Sequence, residues 1–244
     1  MQSIAVLIAS TSNNSGWESV DDVFFLNDTI PSILSKKSDR IKYKFFLGFD
    51  DDDDFLLNHK EEIESRLKSF EIDFSLLFVE NELHKPCPVW NHLFEIAYEE
   101  EFDFFLQTGD DIHFYDAFDE DFILYLKSFD NFGVVGGISR TGPQIITQAF
   151  VHRNHMDVFG FLFPPELPDW GSDNWINVIY YQYDKARLSS SHRVVNNKIV
   201  DSFRDNHRYV VSDGYRDRLN LSLKKYNPAL KEALFQINNK SDRA

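Results

Sequence analysis

Four short apolar runs frame the first half of this chain, at residues 4–9, 43–49, 74–79 and 102–107. Each has the length of a strand and is apolar on nearly consecutive residues, the pattern of a strand buried on both faces. Between them lie residues 20–34, 58–70 and 89–101. Apolar residues there recur at helical spacing, as Val23, Phe24, Ile30, Ile33 and Leu34 do in the first and Val89, Leu93, Ile96 and Ala97 in the third. Strands that alternate with helices are joined by right-handed crossovers, so the expected fold class is α/β with a mostly parallel central sheet flanked by helices. Ligands of such sheets bind beyond the carboxyl ends of the strands. Three polar loops fall there: 10–14, 50–54 and 108–111.

The second half is less regular. Residues 132–138 read as a strand and 140–144 as a turn, and 159–175 is a Gly-, Pro- and Trp-rich loop suited to shaping a pocket. Residues 175–183 fit a helix or an extended segment, 193–209 are left open, and the polar tail 220–244 carries a helix near 229–236. No repeat or linker divides the chain. One domain is expected over 1–244, with a ligand-binding half (1–112), a smaller mixed region (113–215) and a helical tail (216–244).

Composition narrows the partners. Of 244 residues, 43% are hydrophobic, with 24 Phe, which is enough for a large aromatic core. Forty acidic against 25 basic side chains give a net charge of −15. That balance argues against nucleic acid and anionic lipid, which need Lys and Arg density. A nucleotide remains compatible if a divalent cation bridges it to carboxylates. Cys87 is the single cysteine, so no internal disulfide forms, and a reducing, cytoplasmic setting is expected. The apolar run near the N-terminus is too short for a membrane span or signal core.

The strongest motif is the strand-like run 104–107 that passes through Thr108 and Gly109 into Asp110 and Asp111. Neighbouring side chains at a strand end project in different directions, so one carboxylate can hold a metal while the other accepts hydrogen bonds from a ribose. Hard oxygen donors suit Mn2+ or Mg2+. A solvated turn or a helix cap is the plainer alternative. Asp50 to Asp54 form five consecutive carboxylates, which must be solvated or bound to a cation. An EF-hand is a poor match, because Phe55 stands where the loop needs Gly and a strand, not a helix, precedes it. The first one or two acids suit recognition of a base edge. The rest suit the start of the next helix, where the dipole favours negative charge.

A third motif, Asp169-Trp170-Gly171-Ser172-Asp173-Asn174-Trp175, sets two acids among two indoles. Aromatic neighbours raise a carboxylate's pKa by desolvation and can stack on sugar faces, so a general base fits here, as does a helix cap at Asp173. His152 and His155 lack further zinc-type ligands and read as structural or acceptor-contacting. His207 fits a metal shell, a phosphate contact or the surface equally. Neither a Gly-rich phosphate loop nor a Gly-x-Ser-x-Gly elbow occurs.

In order and local context, residues 4–209 resemble GT-A glycosyltransferases, nearest to the family 2-like enzymes. The stretches 43–53, 150–153, 159–161 and 173–175 also resemble small GT-A domains of large DNA viruses, some of which are rhamnosyltransferases. The resemblance implies a Rossmann-like GT-A fold, a UDP-sugar donor such as UDP-rhamnose, a glycan or glycoprotein acceptor, a divalent metal and an inverting transfer of hexosyltransferase type. It implies that Ala9, Ser10 and Thr11 line the nucleotide site and that Asp50 or Asp51 recognises the base. Asn91 would help close the site, Asp110 would bind ribose, and Asp111 the metal, with His207 a further ligand. Asp173 would be the base. One departure is that Gly109-Asp110-Asp111 stands in place of Asp-x-Asp, without the first acid. Two other readings use the same acids: a metal-dependent nucleotidyltransferase, which needs more basic residues, and a calcium-dependent carbohydrate-binding module without catalysis.

Overall fold

A computed structural model of the chain describes residues 1–139, 144–196 and 212–241. Its first half alternates as the sequence pattern predicts. Strands β1 (Ser3–Ala9), β2 (Lys42–Asp50), β3 (Phe74–Val79) and β4 (Phe104–Gly109) pair in parallel in the order β3-β2-β1-β4. The second half adds β5 (Ile112–Phe114), β6 (Val134–Ser139), β7 (Phe150–His152) and β8 (Ala186–Asn196). The eight strands form one mixed sheet ordered β3-β2-β1-β4-β7-β6-β8-β5, in which β7 runs antiparallel to both β4 and β6. The fold is α/β, of the GT-A, Rossmann-like kind.

The sheet is covered on both faces because alternate residues of the same strand feed two cores. Ile4, Val6 and Ile8 join one apolar cluster with Phe45, Leu47 and Phe49; Ala5 and Leu7 join the other with Phe46 and Phe105. Helix α4 (Pro86–Glu99) rides directly on β2 at Gly48, where a Cβ would lie 2.5 Å from Val89 Cγ1. Only a glycine admits that approach.

Several helices differ from the expectation for local reasons. The single helix expected over 20–34 is three pieces: a 3₁₀ turn (Val20–Asp22), a π turn (Phe25–Thr29) and α1 (Ile30–Leu34). Pro31 has no N–H for the carbonyl four residues back, and the chain widens there. The helix expected at 58 begins four residues earlier, as α2 (Asp54–Asn58) followed by α3 (Lys60–Ser69), because Asp53 caps it by accepting Leu56 N–H at 3.1 Å. After α5 (Asp119–Ser128) and α6 (Asn154–Phe159), the segment read as helical or extended is α7 (Ser172–Tyr181). The tail helix is α8, Tyr215–Ser241. Among the described residues, no helix is long and apolar enough to cross a membrane.

Candidate active site

The strand order reverses direction of growth at β1, with β2 on one side and β4 on the other. A doubly wound sheet opens a crevice at such a point. A cavity of about 990 Å³ lies there, lined by Ala9, Ser10 and Thr11 after β1, Asp50 at the end of β2, and Asp110 and Asp111 after β4. The residues at the start of α7, including Asp173, complete its wall.

Register explains how the acids are held. β1 and β4 pair Ala9 with Gly109, so the next residues, Ser10 and Asp110, emerge side by side. Ser10 Oγ donates to Asp110 Oδ2 at 2.5 Å, and Ser10 N–H bonds Gly48 O at 3.0 Å. The turn is pinned from below by Thr29, at the end of the π turn. Its hydroxyl donates to Asp110 O at 2.6 Å and accepts from Ile112 N–H at 3.0 Å. Asp110 is buried and Asp111 is half-buried.

The five-Asp run divides its labour. Asp50 is buried, accepts Asn81 Nδ2 at 2.7 Å and lies 3.4 Å from His84 Nδ1. Desolvation raises its pKa, against the pull of those two partners. Asp51 is exposed and does not line the cavity among the described residues; its N–H bonds Val79 O at 3.0 Å. Asp53 is a clasp as well as a cap, accepting Ser12 N–H at 2.8 Å and Ser12 Oγ at 2.6 Å, which ties the β1 loop to α2. Asp50, Asp52 and His84 also bring one ligand atom each within 4.8 Å of one another, close enough to share a metal ion.

Asp173 sits in the first turn of α7, whose N-cap, Gly171, has φ +92°. Desolvation pushes its pKa up to about 7. The helix start opposes that rise by favouring the charged form. Nearby Asp169 is fully buried: its Oδ2 accepts Ser212 N–H and Ser212 Oγ, both at 2.8 Å, and lies 3.3 Å from Lys85 Nζ.

The expected residues therefore fall into three groups. Ala9, Ser10, Thr11, Asp50, Asp110, Asp111 and Asp173 meet in one cavity. Like Asp51, Asn91 does not line it among the described residues. Its amide is spent on the backbone of the 160–171 loop, accepting Leu162 and Phe163 N–H at 3.0 and 2.9 Å and donating to Phe163 O at 2.8 Å. His207 lies outside the described residues. His155 is a core residue, between Tyr180 Oη at 2.8 Å and Leu162 O at 3.0 Å, with burial lowering its pKa to about 4. Asn81, His84 and Lys85 escaped the sequence reading, although they follow β3 and the strand-end rule points to that loop as much as to its three neighbours.

Solved structures share this fold. GalNAc-T7, solved with UDP, GalNAc and Mn2+, superposes with a TM-score of 0.57 at 13% identity, over 88% of this chain and 49% of that one. S. aureus TarS gives a TM-score of 0.55 at 13% identity, over 79% of this chain and 36% of that one. TarS 1-349 in complex with UDP gives 0.53 at 14% identity, over 80% and 60%. The chain thus spans between 36% and 60% of the length of these structures, and the likeness is one of fold. No protein-family model and no curated protein matches the chain.

Proposed function

We propose that this chain is a metal-dependent glycosyltransferase of hexosyltransferase type, moving a sugar from a UDP-sugar donor to a glycan or glycoprotein acceptor with inversion. UDP-rhamnose and a viral setting are the narrower form of this proposal, and they rest on sequence resemblance. One observation carries the reading: an all-oxygen acidic pair, Asp110 and Asp111, shares a cavity with a separate carboxylate, Asp173, whose pKa is pushed up to about 7. The fold relatives solved with UDP, one of them also with Mn2+, support it.

In this reading the base meets Asp50, the ribose meets Asp110, and Ala9, Ser10 and Thr11 form the floor between them. The oxygen donors at the end of β4 suit a hard divalent cation, so Asp111 is the proposed ligand for Mn2+ or Mg2+, with His207 as a further one. Bound there, the ion supplies Lewis-acid stabilisation of the charge that gathers on the departing diphosphate. The acceptor hydroxyl oxygen bonds to the anomeric carbon as the bond from that carbon to the diphosphate oxygen breaks. Asp173 takes the hydroxyl proton. Among the described residues no group donates a hydrogen bond to its carboxylate, and a pKa near the working pH suits a base. The calcium-dependent binding module is disfavoured because His84, an imidazole, completes the Asp50–Asp52 group, and calcium takes oxygen ligands.

The test is a thermal-shift screen of nucleotide sugars with Mn2+ present, followed by assay of nucleoside diphosphate release. A stabilising UDP-sugar that is slowly hydrolysed supports the reading. Stabilisation by sugars alone, without nucleotide, sinks it.

A further inference from the structure

The cavity is more acidic than its proposed ligand allows. Among the described residues that line it are six carboxylates, Asp22, Asp50, Asp110, Asp111, Asp169 and Asp173, against one lysine, Lys85, and one histidine, His84. A diphosphate brought into this wall meets repulsion that one divalent ion offsets only in part. The start of α4 borders the cavity through Pro86, and a helix start commonly holds phosphate through its free N–H groups. Here three of those positions offer none: Pro86 and Pro88 have no N–H, and Cys87 N–H is bonded to Pro168 O at 3.0 Å. The dipole remains, and a charged side chain beside this helix start is well placed to supply what its first turn does not.

Lys85 is that side chain. It is the N-cap residue of α4, and its backbone is fixed where Asn81 Nδ2 donates to Lys85 O at 2.9 Å. Its ammonium lies 3.3 Å from Asp169 Oδ2, and the two side chains are 12% and 0% exposed. The same Asp169 oxygen takes two hydrogen bonds from Ser212, while Asp169 Oδ1, also buried, has no hydrogen-bond partner among the described residues. A buried carboxylate left half-satisfied is a poor way to gain stability. It is a good way to hold an ammonium in one place, because the lysine cannot leave without stranding the charge.

We propose that Lys85 recognises the phosphate charge of a nucleotide ligand and that Asp169 is the positioning residue that holds it there. This rests on the nucleotide-sugar reading, and the test separates the two. UDP and uridine are titrated calorimetrically, with Mn2+ present, into wild type, Lys85→Met, Lys85→Arg, Asp169→Asn and the double variant Lys85→Met/Asp169→Asn. Circular-dichroism melts confirm folding. The expected result is a loss of UDP affinity on the order of ten- to a hundredfold in Lys85→Met, with uridine affinity unchanged. Lys85→Arg retains most of the UDP affinity. Asp169→Asn, whose lysine keeps its charge, loses UDP affinity to a lesser degree and again spares uridine. The double variant strands no buried charge, so it melts above Lys85→Met while binding UDP equally poorly. Equal UDP affinity in wild type and Lys85→Met overturns the inference and leaves the nucleotide reading standing. Parallel losses for UDP and uridine overturn it too, by showing a structural role. A wild type that binds neither ligand removes the nucleotide reading and the inference with it.

Discussion

Ser10 Oγ and Asp110 Oδ2 lie 2.5 Å apart although 100 residues separate them, and the contact follows from a single register, Ala9 opposite Gly109. The pair sits where β1 and β4 deliver their last residues into the cavity, so the Asp110 carboxylate is aimed by backbone pairing rather than by its own rotamer. Asp110→Asn should weaken UDP binding on the order of ten- to a hundredfold, the cost of losing hydrogen bonds to a charged group. Ser10→Ala, which removes one donor and leaves the carboxylate, should cost less. Calorimetric titration with Mn2+ present measures both, and an Asp110→Asn chain that binds as wild type does takes Asp110 out of the nucleotide site.

Asp173→Asn should keep donor binding and lose transfer by ~10²–10⁴-fold, the usual contribution of a positioned base. The working form of the base is the carboxylate. With its pKa raised to about 7, wild-type kcat/KM should climb as pH rises through 7 and level off above it. The residual rate of Asp173→Asn should lack that limb. A variant whose pH profile still bends near 7 would assign the base to another group.

The same shift makes a prediction about stability, and His155 makes the opposite one. A carboxyl whose pKa is higher folded than unfolded contributes most below its unfolded value, and that contribution is lost as pH rises through about 7. A histidine whose folded pKa falls to about 4 contributes fully above its unfolded value, and this is lost as pH drops through about 4. Across roughly pH 4 to 6.5 the two slopes oppose each other in wild type. Melting temperatures across that window should therefore rise more steeply with pH in Asp173→Asn than in wild type. His155→Gln, less stable throughout, should show a stability that falls as pH increases. Unchanged slopes in both variants would mean that neither group is desolvated in the folded chain.

Much of the frame was legible because it rests on local rules. Buried parallel strands must be apolar on both faces, so the runs at Ile4–Ile8 and Phe104–Leu106 announce themselves, and strand ends then point to the loops that carry Ser10, Asp50 and Asp110. What was not legible depends on contacts distant in sequence. Nothing near Asp53 says that it will take both donors of Ser12, and nothing near Asn91 says that the backbone at Leu162 and Phe163 will claim its amide. The apolar spacing over 20–34 reads as one helix straight through Pro31, and it hides the π turn that ends at Thr29, whose hydroxyl serves a turn 81 residues away.

Asn91 gives a clean separation between holding a loop and holding a ligand. Asn91→Ala strands two N–H groups and one carbonyl that are otherwise satisfied by one side chain. It should destabilise the chain by roughly 3 kcal/mol or more, at about 1 kcal/mol or above for each of the three part-buried groups left unpaired. UDP affinity in the folded fraction should match wild type. Denaturant unfolding and titration settle it, and lost affinity at unchanged stability would return Asn91 to the nucleotide site.

Two places near the strand ends offer carboxylates to a cation, and they make different demands. The Asp50, Asp52 and His84 group already gathers three ligand atoms within 4.8 Å, whereas Asp111 belongs to no such group among the described residues. The proposed function needs the ion beside a diphosphate, and it needs Asp50 free to read the base. Asp111→Ala should therefore abolish the Mn2+ dependence of UDP binding, so that titrations with Mn2+ and with EDTA give the same weak affinity. His84→Ala should leave that dependence intact. The reverse outcome, in which His84→Ala removes it and Asp111→Ala does not, would move the metal to the end of β2 and require a different residue to recognise the base.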